Sequence, residues 1–327
     1  MRAQSLRPLA ALIAAALSLP AFAAGPVPWQ WDWNLRARME HVDDDAFSDA
    51  ADAGTLRLRA GLRANFRARW SALGEIEAIG AFADDYNSGA NGRAGRPAVI
   101  DPTGIELNQL WVARKGEHSL LRVGRQRLNL DNQRWLGASG WRQNEQTFDA
   151  IAWEWTLAPQ WTLRYDGLAR VHRVSGDDAI DPRARERELA SDFINLGWAG
   201  ARQQWTGYAY VHDDRDVATA STATYGLRWH GDTANAARRW GVTAEFARQV
   251  DHAANPQQFA HMYWLVEPSL ALGPTLLRAG WEHLGGDGTH ALQTPLATLH
   301  AFNGWADKFT TTPSGGLEDR YLSAGRK

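Results

Sequence analysis

Guanidinium groups recur at alternate positions in one stretch of the chain, residues 55–71, where they could bind an anion. The even positions of this stretch are apolar, from Leu56 to Trp70. The odd positions carry Arg57, Arg59, Arg63, Arg67 and Arg69. Because successive side chains of a strand point to opposite faces, a strand here separates an apolar face from a cationic face. Guanidinium groups bind carboxylates through paired hydrogen bonds, so the pattern predicts an anion-binding surface.

The length of this stretch indicates where such a strand would lie. Ordinary strands have about 5–6 residues, whereas a tilted strand that crosses a membrane needs roughly 9–11. The next segment, 72–82, carries Glu75 and Glu77 at alternate positions and is expected to pair with it after a turn near 71–74. Both glutamates would then share the face of the arginines. The alternative is an edge strand of a soluble sandwich whose arginines are simply hydrated.

The N-terminus predicts export. Arg2 and Arg7 precede an Ala- and Leu-rich run that ends in Ala21-Phe22-Ala23, the pattern of a cleaved secretory signal. We therefore expect a signal peptide over 1–24 and a single domain over 25–327. The chain contains no cysteine, which excludes disulfides, thiol nucleophiles and cysteine-ligated metals.

Composition favours a membrane barrel over a nucleic-acid-binding protein. The 327 residues include 17 tryptophans, and indole rings accumulate at membrane interfaces, where a barrel carries two girdles of them. The net charge of −2 gives no general attraction to nucleic acid. The mean hydropathy of −0.43 is compatible with a barrel, because polar residues of the lumen offset apolar residues that face lipid.

Alternation recurs along the rest of the chain without a break in composition. Strands are expected near 34–40, 105–114, 120–129, 148–157, 161–172, 192–200, 204–212, 222–230, 239–250, 259–268 and 275–282. Short turns alternate with long polar loops such as 84–104 and 175–188. The predicted fold class is all-β, an antiparallel transmembrane β-barrel of the outer-membrane type, with about fourteen strands in this chain.

Residues 124–149 are the least strand-like part of the middle of the chain. They are rich in Arg, Asn and Gln, with Trp135 and Trp141 interleaved. Guanidinium groups bind carboxylates and indole rings pack on sugars, so this segment could bind an acidic sugar, and it could fold inward as a pore loop. The alternative is an ordinary connecting loop.

Several motifs resemble the alginate export porin family of outer membranes. They are GRQ at Gly124–Gln126, DNQRWLG at Asp131–Gly137, WRQNEQTFDA at Trp141–Ala150, the late segment LHAFNGWADKF, and TPSGGLEDRYLSAG at Thr312–Gly325. The resemblance implies a monomeric barrel of about eighteen strands whose arginine-lined lumen exports an anionic polyuronate passively. It implies pore-constriction roles for Arg125, Arg134 and Arg142 and a counter-charge role for Asp149. It also implies outer-membrane lipid and the barrel-assembly machinery as partners.

Two departures from the family pattern lead to a further expectation. Members continue past the GLEDRY segment, and outer-membrane barrels usually end on a strand with a terminal aromatic residue, whereas this sequence ends Gly325-Arg326-Lys327. We therefore expect that the closing strands are missing.

Two other functions stay open from the sequence. One is a porin for small anionic or aromatic solutes, which shares the barrel. The other is a periplasmic sugar-binding or sugar-active protein, for which His172, His212 and Glu245 could supply chemistry. No HExxH or GxSxG motif occurs, so the sequence predicts neither an enzyme nor a cofactor.

Overall fold

The computed structural model describes residues 29–66, 69–233 and 238–326. The described residues form fourteen strands: β1 (Trp29–Val42), β2 (Ala51–Phe66), β3 (Trp70–Asp85), β4 (Gly104–Lys115), β5 (Ser119–Gln126), β6 (Thr147–Ala158), β7 (Trp161–His172), β8 (Glu186–Ala199), β9 (Gln203–His212), β10 (Thr222–Asp232), β11 (Arg238–Asp251), β12 (Ala260–Leu272), β13 (Thr275–Leu284) and β14 (Leu317–Arg326). One short helix, α1 (Pro182–Arg185), precedes β8. The predicted signal segment and Arg67 lie outside the described residues. Within those ranges, no helix has the length and apolarity needed to cross a membrane.

The strands are hydrogen-bonded side by side in chain order, from β1 to β14. Their connections alternate in length. The connection after β4 covers only 116–118, whereas those after β3 and β13 cover 86–103 and 285–316. In an antiparallel sheet, alternate connections lie at the same end of the strands, so short turns collect at one end and long loops at the other.

The chain groups into two compact units. The first comprises the chain up to Gly116 together with Arg122–Ala150 and Ala169–Glu188. The second comprises Glu117–Leu121, Ile151–Leu168 and the chain from Leu189 onward. In the first unit the connection 127–146 packs on strands of that unit, and in the second unit the connection 285–316 packs on strands of its own unit.

The two faces of β1 and β2 have opposite chemistry, as the alternation predicts. Leu35 lies opposite Leu58, and Arg36 lies opposite Arg57. The face with Leu35 carries exposed apolar side chains, among them three tryptophans of β1. Arg57 and Arg59 on the other face are buried. We call this second surface of β1–β4 the arginine face.

One boundary predicted from the sequence is wrong. Residues 55–71 are not a single strand, because β2 ends at Phe66 and β3 begins at Trp70. Phe66 and Trp70 face each other across the turn as register partners. Arg69 is an exposed residue of that turn, so the alternation that assigned it to the cationic face does not apply to it.

The remaining predicted strands are present, with ends that differ by up to six residues, and one strand was omitted. The sequence did not predict β14, in which Glu318, Asp319 and Arg320 follow one another. Aromatic residues collect at one end of several strands, which corresponds to one of the two predicted girdles. The residues concerned, at the short-turn end of their strands, are Trp29, Phe66, Trp70, Trp161, Trp205 and Trp240.

Candidate functional site

The long connection between β5 and β6, residues 127–146, folds onto the arginine face of the first unit. We call it the first covering segment. It has a small apolar core that includes Leu128, Trp135 and Leu136. Backbone hydrogen bonds close two loops within it, from Leu130 N to Leu136 O, 3.0 Å, and from Gln146 N to Ala138 O, 2.8 Å. The inward folding considered from the sequence is therefore observed.

Arg57 and Arg59 hold this segment by its backbone. Arg57 Nη1 donates to the carbonyl oxygen of Gln143 at 3.1 Å, and Arg59 Nη2 donates to the same oxygen at 3.3 Å. The Gln143 side chain is also buried and donates to Thr55 Oγ1 at 2.9 Å. Charge-assisted hydrogen bonds are stronger than neutral ones, so two arginines of β2 anchor the C-terminal part of the segment.

Carboxylates compensate these buried guanidinium groups. Glu77 forms an ion pair with Arg59, as the shared face of β2 and β3 predicts. Arg59 Nη1 also lies 3.2 Å from Glu145 Oε2 of the covering segment. Asn108 Nδ2 donates to Glu145 Oε1 at 2.7 Å and to Glu75 Oε1 at 2.8 Å. The charges therefore form a connected network, which is the condition under which buried charges are tolerated.

Arg127 joins this network from the covering segment itself. It pairs with Glu145 and lies 3.4 Å from Glu75 Oε1. Burial lowers the pKa of Arg127, but the neighbouring Glu145 and Glu75 carboxylates more than offset burial, so the pKa lies above its ordinary value. Its side chain is 36% exposed, whereas those of Glu75 and Glu145 are 12% and 3% exposed. The surface of this network is therefore cationic although its interior is balanced.

Two arginines of β1 that the sequence analysis did not nominate are equally important. Arg36 donates to the carbonyl oxygens of Gly140, Trp141 and Arg142 at 3.0, 2.9 and 3.2 Å. Arg38 pairs with Asp101, whose other oxygen accepts a hydrogen bond from Gln143 N at 2.8 Å. The alternation of residues 34–40 places these two arginines on one face, but nothing in the sequence connected them to the segment 140–143.

The residues nominated by family resemblance lie in three places. Arg142 Nη1 is 3.4 Å from Glu40 Oε2. Arg134 is buried within the covering segment. Arg125 Nε is 3.0 Å from Asp149 Oδ1, and the other oxygen of Asp149 is 3.0 Å from His172 Nε2. Asp149 is thus paired with one of the nominated arginines and with His172.

Arg63 lies apart from the network, toward the short-turn end of β2. Its guanidinium carbon is 5.4 Å from the ring centre of Trp111 on β4. Arg122 of β5 lies over the same ring at 4.6 Å. The carboxylate nearest to Arg63 is Asp32, 3.4 Å away.

The second unit has its own covering segment, residues 285–316, between β13 and β14. We call it the second covering segment. Leu292 and Leu296 form its apolar core. Gln249 of β11 exchanges two hydrogen bonds with the backbone of Gln293, at 2.8 and 2.9 Å. Asn303 Nδ2 donates to Glu282 Oε2 of β13 at 3.0 Å.

Tyrosines hold carboxylates on the strands of the second unit. The ring of Tyr208 lies across Gly226 of the neighbouring strand, where an added Cβ would be 2.2 Å from its Cζ. Its hydroxyl donates to Glu245 Oε1 at 2.7 Å. Tyr321 crosses Gly280 in the same way and donates to Glu267 Oε2 at 2.7 Å. Glycine is needed at both positions because the ring occupies the place of its side chain.

The described residues are suited to bind an anion by electrostatic attraction. In these ranges, no cluster of three or more His, Cys, Asp or Glu side chains is arranged to hold a metal ion. Arg127, whose side chain is 36% exposed beside carboxylates that are covered, can attract and release an anion without changing a covalent bond.

The sequence matches a protein family over most of its length. The model of the family described as alginate export matches residues 29–272. The chain belongs to the alginate export family. A comparison with curated protein sequences gave no significant match.

The fold of this family member is shared with solved outer-membrane porins. OccAB2 of Acinetobacter baumannii has a TM-score of 0.65 and 14% identity, over 88% of this chain and 73% of that one. OccK2 (OpdF) of Pseudomonas aeruginosa, solved with glucuronate, has a TM-score of 0.56 and 14% identity, over 80% and 64%. OpdK of Pseudomonas aeruginosa, solved with vanillate, has a TM-score of 0.55 and 13% identity, over 80% and 66%.

These comparisons establish the fold class and the location of the protein. It is an all-β protein with the antiparallel barrel fold of outer-membrane porins, and the alginate export family places it in the outer membrane. Its structural neighbours are channels and not enzymes. In such barrels the short turns face the periplasm and the long loops face outward.

Proposed function

We propose that the protein is a passive outer-membrane conduit for an anionic polysaccharide of the polyuronate type. Family membership supports the substrate class. The observation that carries the proposal is the exposure pattern on the arginine face. The carboxylates of Glu77 and Glu145 are covered, whereas the side chain of Arg127, which pairs with Glu145, is 36% exposed. A solute that passes this network meets positive charge, and the covered carboxylates weaken binding enough to permit release.

The residues nominated from the sequence have three roles in this proposal. Arg57, Arg59 and Glu77 hold the first covering segment in place and act on the solute through it. Arg125, Arg142, Glu75 and Asp149 set the charge of the surface that the segment presents. Arg134 shapes the segment from inside.

The test is electrical. Protein reconstituted in planar bilayers should be anion-selective under a salt gradient, and oligouronates should block its current while neutral oligosaccharides of equal length do not. Arg127→Ala should reduce anion selectivity, and Arg93→Ala, a loop arginine paired with Asp84 and Asp85, should leave it unchanged. Cation selectivity, or equal block by neutral sugars, would refute the proposal.

A second candidate is a porin for small anionic or aromatic solutes. It is favoured by the barrel fold shared with OccK2 and OpdK, which were solved with glucuronate and vanillate. Block by a monomeric uronate or an aromatic carboxylate as strong as block by the oligomer would support it. Product analysis of alginate incubated with the protein tests the sugar-active alternative, for which shortened chains are the diagnostic result.

The division of the chain is part of the same proposal. We assign 1–24 to a signal peptide and 25–327 to a single barrel domain that inserts as a monomer through the assembly machinery. N-terminal sequencing of the protein from outer-membrane fractions should begin at Ala24 or Gly25. A mature protein that retains Met1 would contradict this division.

A further inference from the structure

A groove lies in the apolar surface of the first unit, on the side of its strands opposite to the arginine face. Its volume is about 330 Å³. A protein cavity of roughly 150 Å³ already holds a benzene ring, so the groove is large enough for part of a hydrocarbon chain. Its central residues form two rows across β2, β3 and β4, one of Ala64, Ala72 and Val112 and one of Leu62, Gly74 and Leu110.

Small residues on β3 leave this groove open. Ala72 and Gly74 lie at its centre, and Trp29 of β1 and Val123 of β5 line its two sides. A Cβ added at Gly74 would have only Leu110 Cδ1 within 4 Å, at 3.8 Å. In the barrel of an outer-membrane porin this apolar side faces lipid, so an acyl chain is the occupant that the surroundings supply.

Arg114 lies at the short-turn end of the same surface. It is the register partner of Trp70, two residues beyond the pair of Ala72 and Val112, which is about 7 Å along the strands. Arg114 is exposed, and its guanidinium carbon is 6.0 Å from the centre of the Trp70 ring. Among the described residues, no carboxylate pairs with it. The ring therefore holds the cation beside the groove without neutralising its charge.

Two further cations lie beside Arg114. Lys115 follows it in the chain, and Lys115 N donates to Arg69 O at 2.8 Å. This hydrogen bond ties the end of β4 to the turn between β2 and β3. Both residues are exposed. The short-turn end of this surface is therefore cationic, directly next to an apolar groove.

We infer that the groove and Arg114 bind one anionic phospholipid, with an acyl chain in the groove and the phosphate at the guanidinium group. A phospholipid carries these two chemistries next to each other, and guanidinium groups bind phosphate through paired hydrogen bonds. Because the short turns face the periplasm, the lipid belongs to the periplasmic leaflet. The site lies outside the barrel, so it does not depend on which solute passes through the lumen.

The test is native mass spectrometry of the detergent-purified protein titrated with dioleoyl phosphatidylglycerol or dioleoyl phosphatidylethanolamine. We expect one phosphatidylglycerol to bind more tightly than any later one, and phosphatidylethanolamine, which has no net charge, to bind more weakly. Glycerol phosphate has the phosphate but no acyl chain and should not displace the first lipid. Equal affinity of the two lipids, or displacement by glycerol phosphate, would overturn the inference.

Two variants separate the headgroup from the chain. Arg114→Ala should weaken binding of the first phosphatidylglycerol about fivefold, the effect of one cation near an acidic lipid, and should leave phosphatidylethanolamine nearly unchanged. Gly74→Val should fill the groove and weaken both lipids. Valine suits a strand, and the space at Gly74 admits it, so the variant is expected to fold.

Gly207→Val and Arg239→Ala are the matched controls. Gly207 lies on the same face of β9 as the exposed Trp205, with no heavy atom within 4 Å of an added Cβ. Arg239, whose side chain is 59% exposed, lies at the short-turn end of β11. Neither change should alter lipid binding, and retained heat-modifiable migration on gels shows that each variant is folded.

Three results would contradict the lipid site. Wild-type affinity for phosphatidylglycerol in Arg114→Ala means that the phosphate lies elsewhere. Wild-type affinity in Gly74→Val means that no chain occupies the groove. A dimer in the mass spectrum that Gly74→Val converts to monomer means that a second copy of the chain covers the groove instead of a lipid.

Discussion

The two covering segments are both held on the strands of their own units, but by different polar groups. Residues 127–146 are held by guanidinium groups. Arg36 donates to a backbone carbonyl oxygen of the segment, and Arg59 donates to the Gln143 carbonyl oxygen and pairs with a carboxylate. Residues 285–316 are held by side-chain amides, which exchange hydrogen bonds with the backbone at Gln249 and Gln293 and donate to a carboxylate at Asn303. Both have apolar cores, so the difference lies in the polar anchors. A buried charged anchor costs more when one partner is lost, because the other charge is then left uncompensated.

The largest effect should come from removing the carboxylate that links the first segment to its arginines. Glu145→Ala leaves Arg59, which is buried, with one carboxylate fewer. We expect a loss of about 3 kcal/mol in the free energy of unfolding and faster proteolysis within 127–146. Urea unfolding in detergent and limited trypsin digestion measure the two effects.

Asp131→Asn is the control for this variant, since Asp131 is an exposed acid of the same segment and Asn tolerates its positive φ of 48°. It should change stability by less than about 0.5 kcal/mol. Equal losses of unfolding free energy for Glu145→Ala and Asp131→Asn would mean that stability depends on the net charge of the segment and not on its buried ion pairs.

An intermediate effect is expected where tyrosine lies across glycine in the second unit. Gly226→Ala places a Cβ 2.2 Å from Tyr208 Cζ, so the ring must move and its hydrogen bond to Glu245 is lost. The expected loss of unfolding free energy is about 1–3 kcal/mol. Gly207→Ala on the adjacent strand has no heavy atom within 4 Å of its new Cβ and should cost far less. Similar losses for the two variants would show that the ring does not require the glycine.

The smallest effect should come from the neutral anchor of the second segment. Gln249→Ala removes two hydrogen bonds to Gln293 without leaving a buried charge. We expect a loss of about 1–2 kcal/mol and faster hydrogen exchange confined to 285–316. A loss as large as that of Glu145→Ala would remove the distinction between charged and neutral anchors.

Alternation predicted the faces of the strands but could not detect the first turn. Phe66 and Trp70 have the same parity and are also partners across the turn between β2 and β3, so the apolar pattern continues through the reversal. Alternation therefore extended one strand across two. For β14 the pattern was hidden by three consecutive charged residues, Glu318, Asp319 and Arg320.

The site could be predicted only in part, for a physical reason. Alternation places Arg57, Arg59 and Arg63 on one face but carries no information about which of them will be covered. That depends on Gln143 and Glu145, which are more than eighty residues away in the chain. Arg36 and Arg38 were missed for the same reason, since their partners are Gly140–Arg142 and Asp101.

The contacts of Arg36 have a consequence for how this protein could change its cargo. All three acceptors are main-chain carbonyl oxygens, which every amino acid provides. Residues 140–142 can therefore be exchanged for other side chains while the anchor that fixes them persists. Mutation or design could vary permeation at these positions and leave the architecture intact.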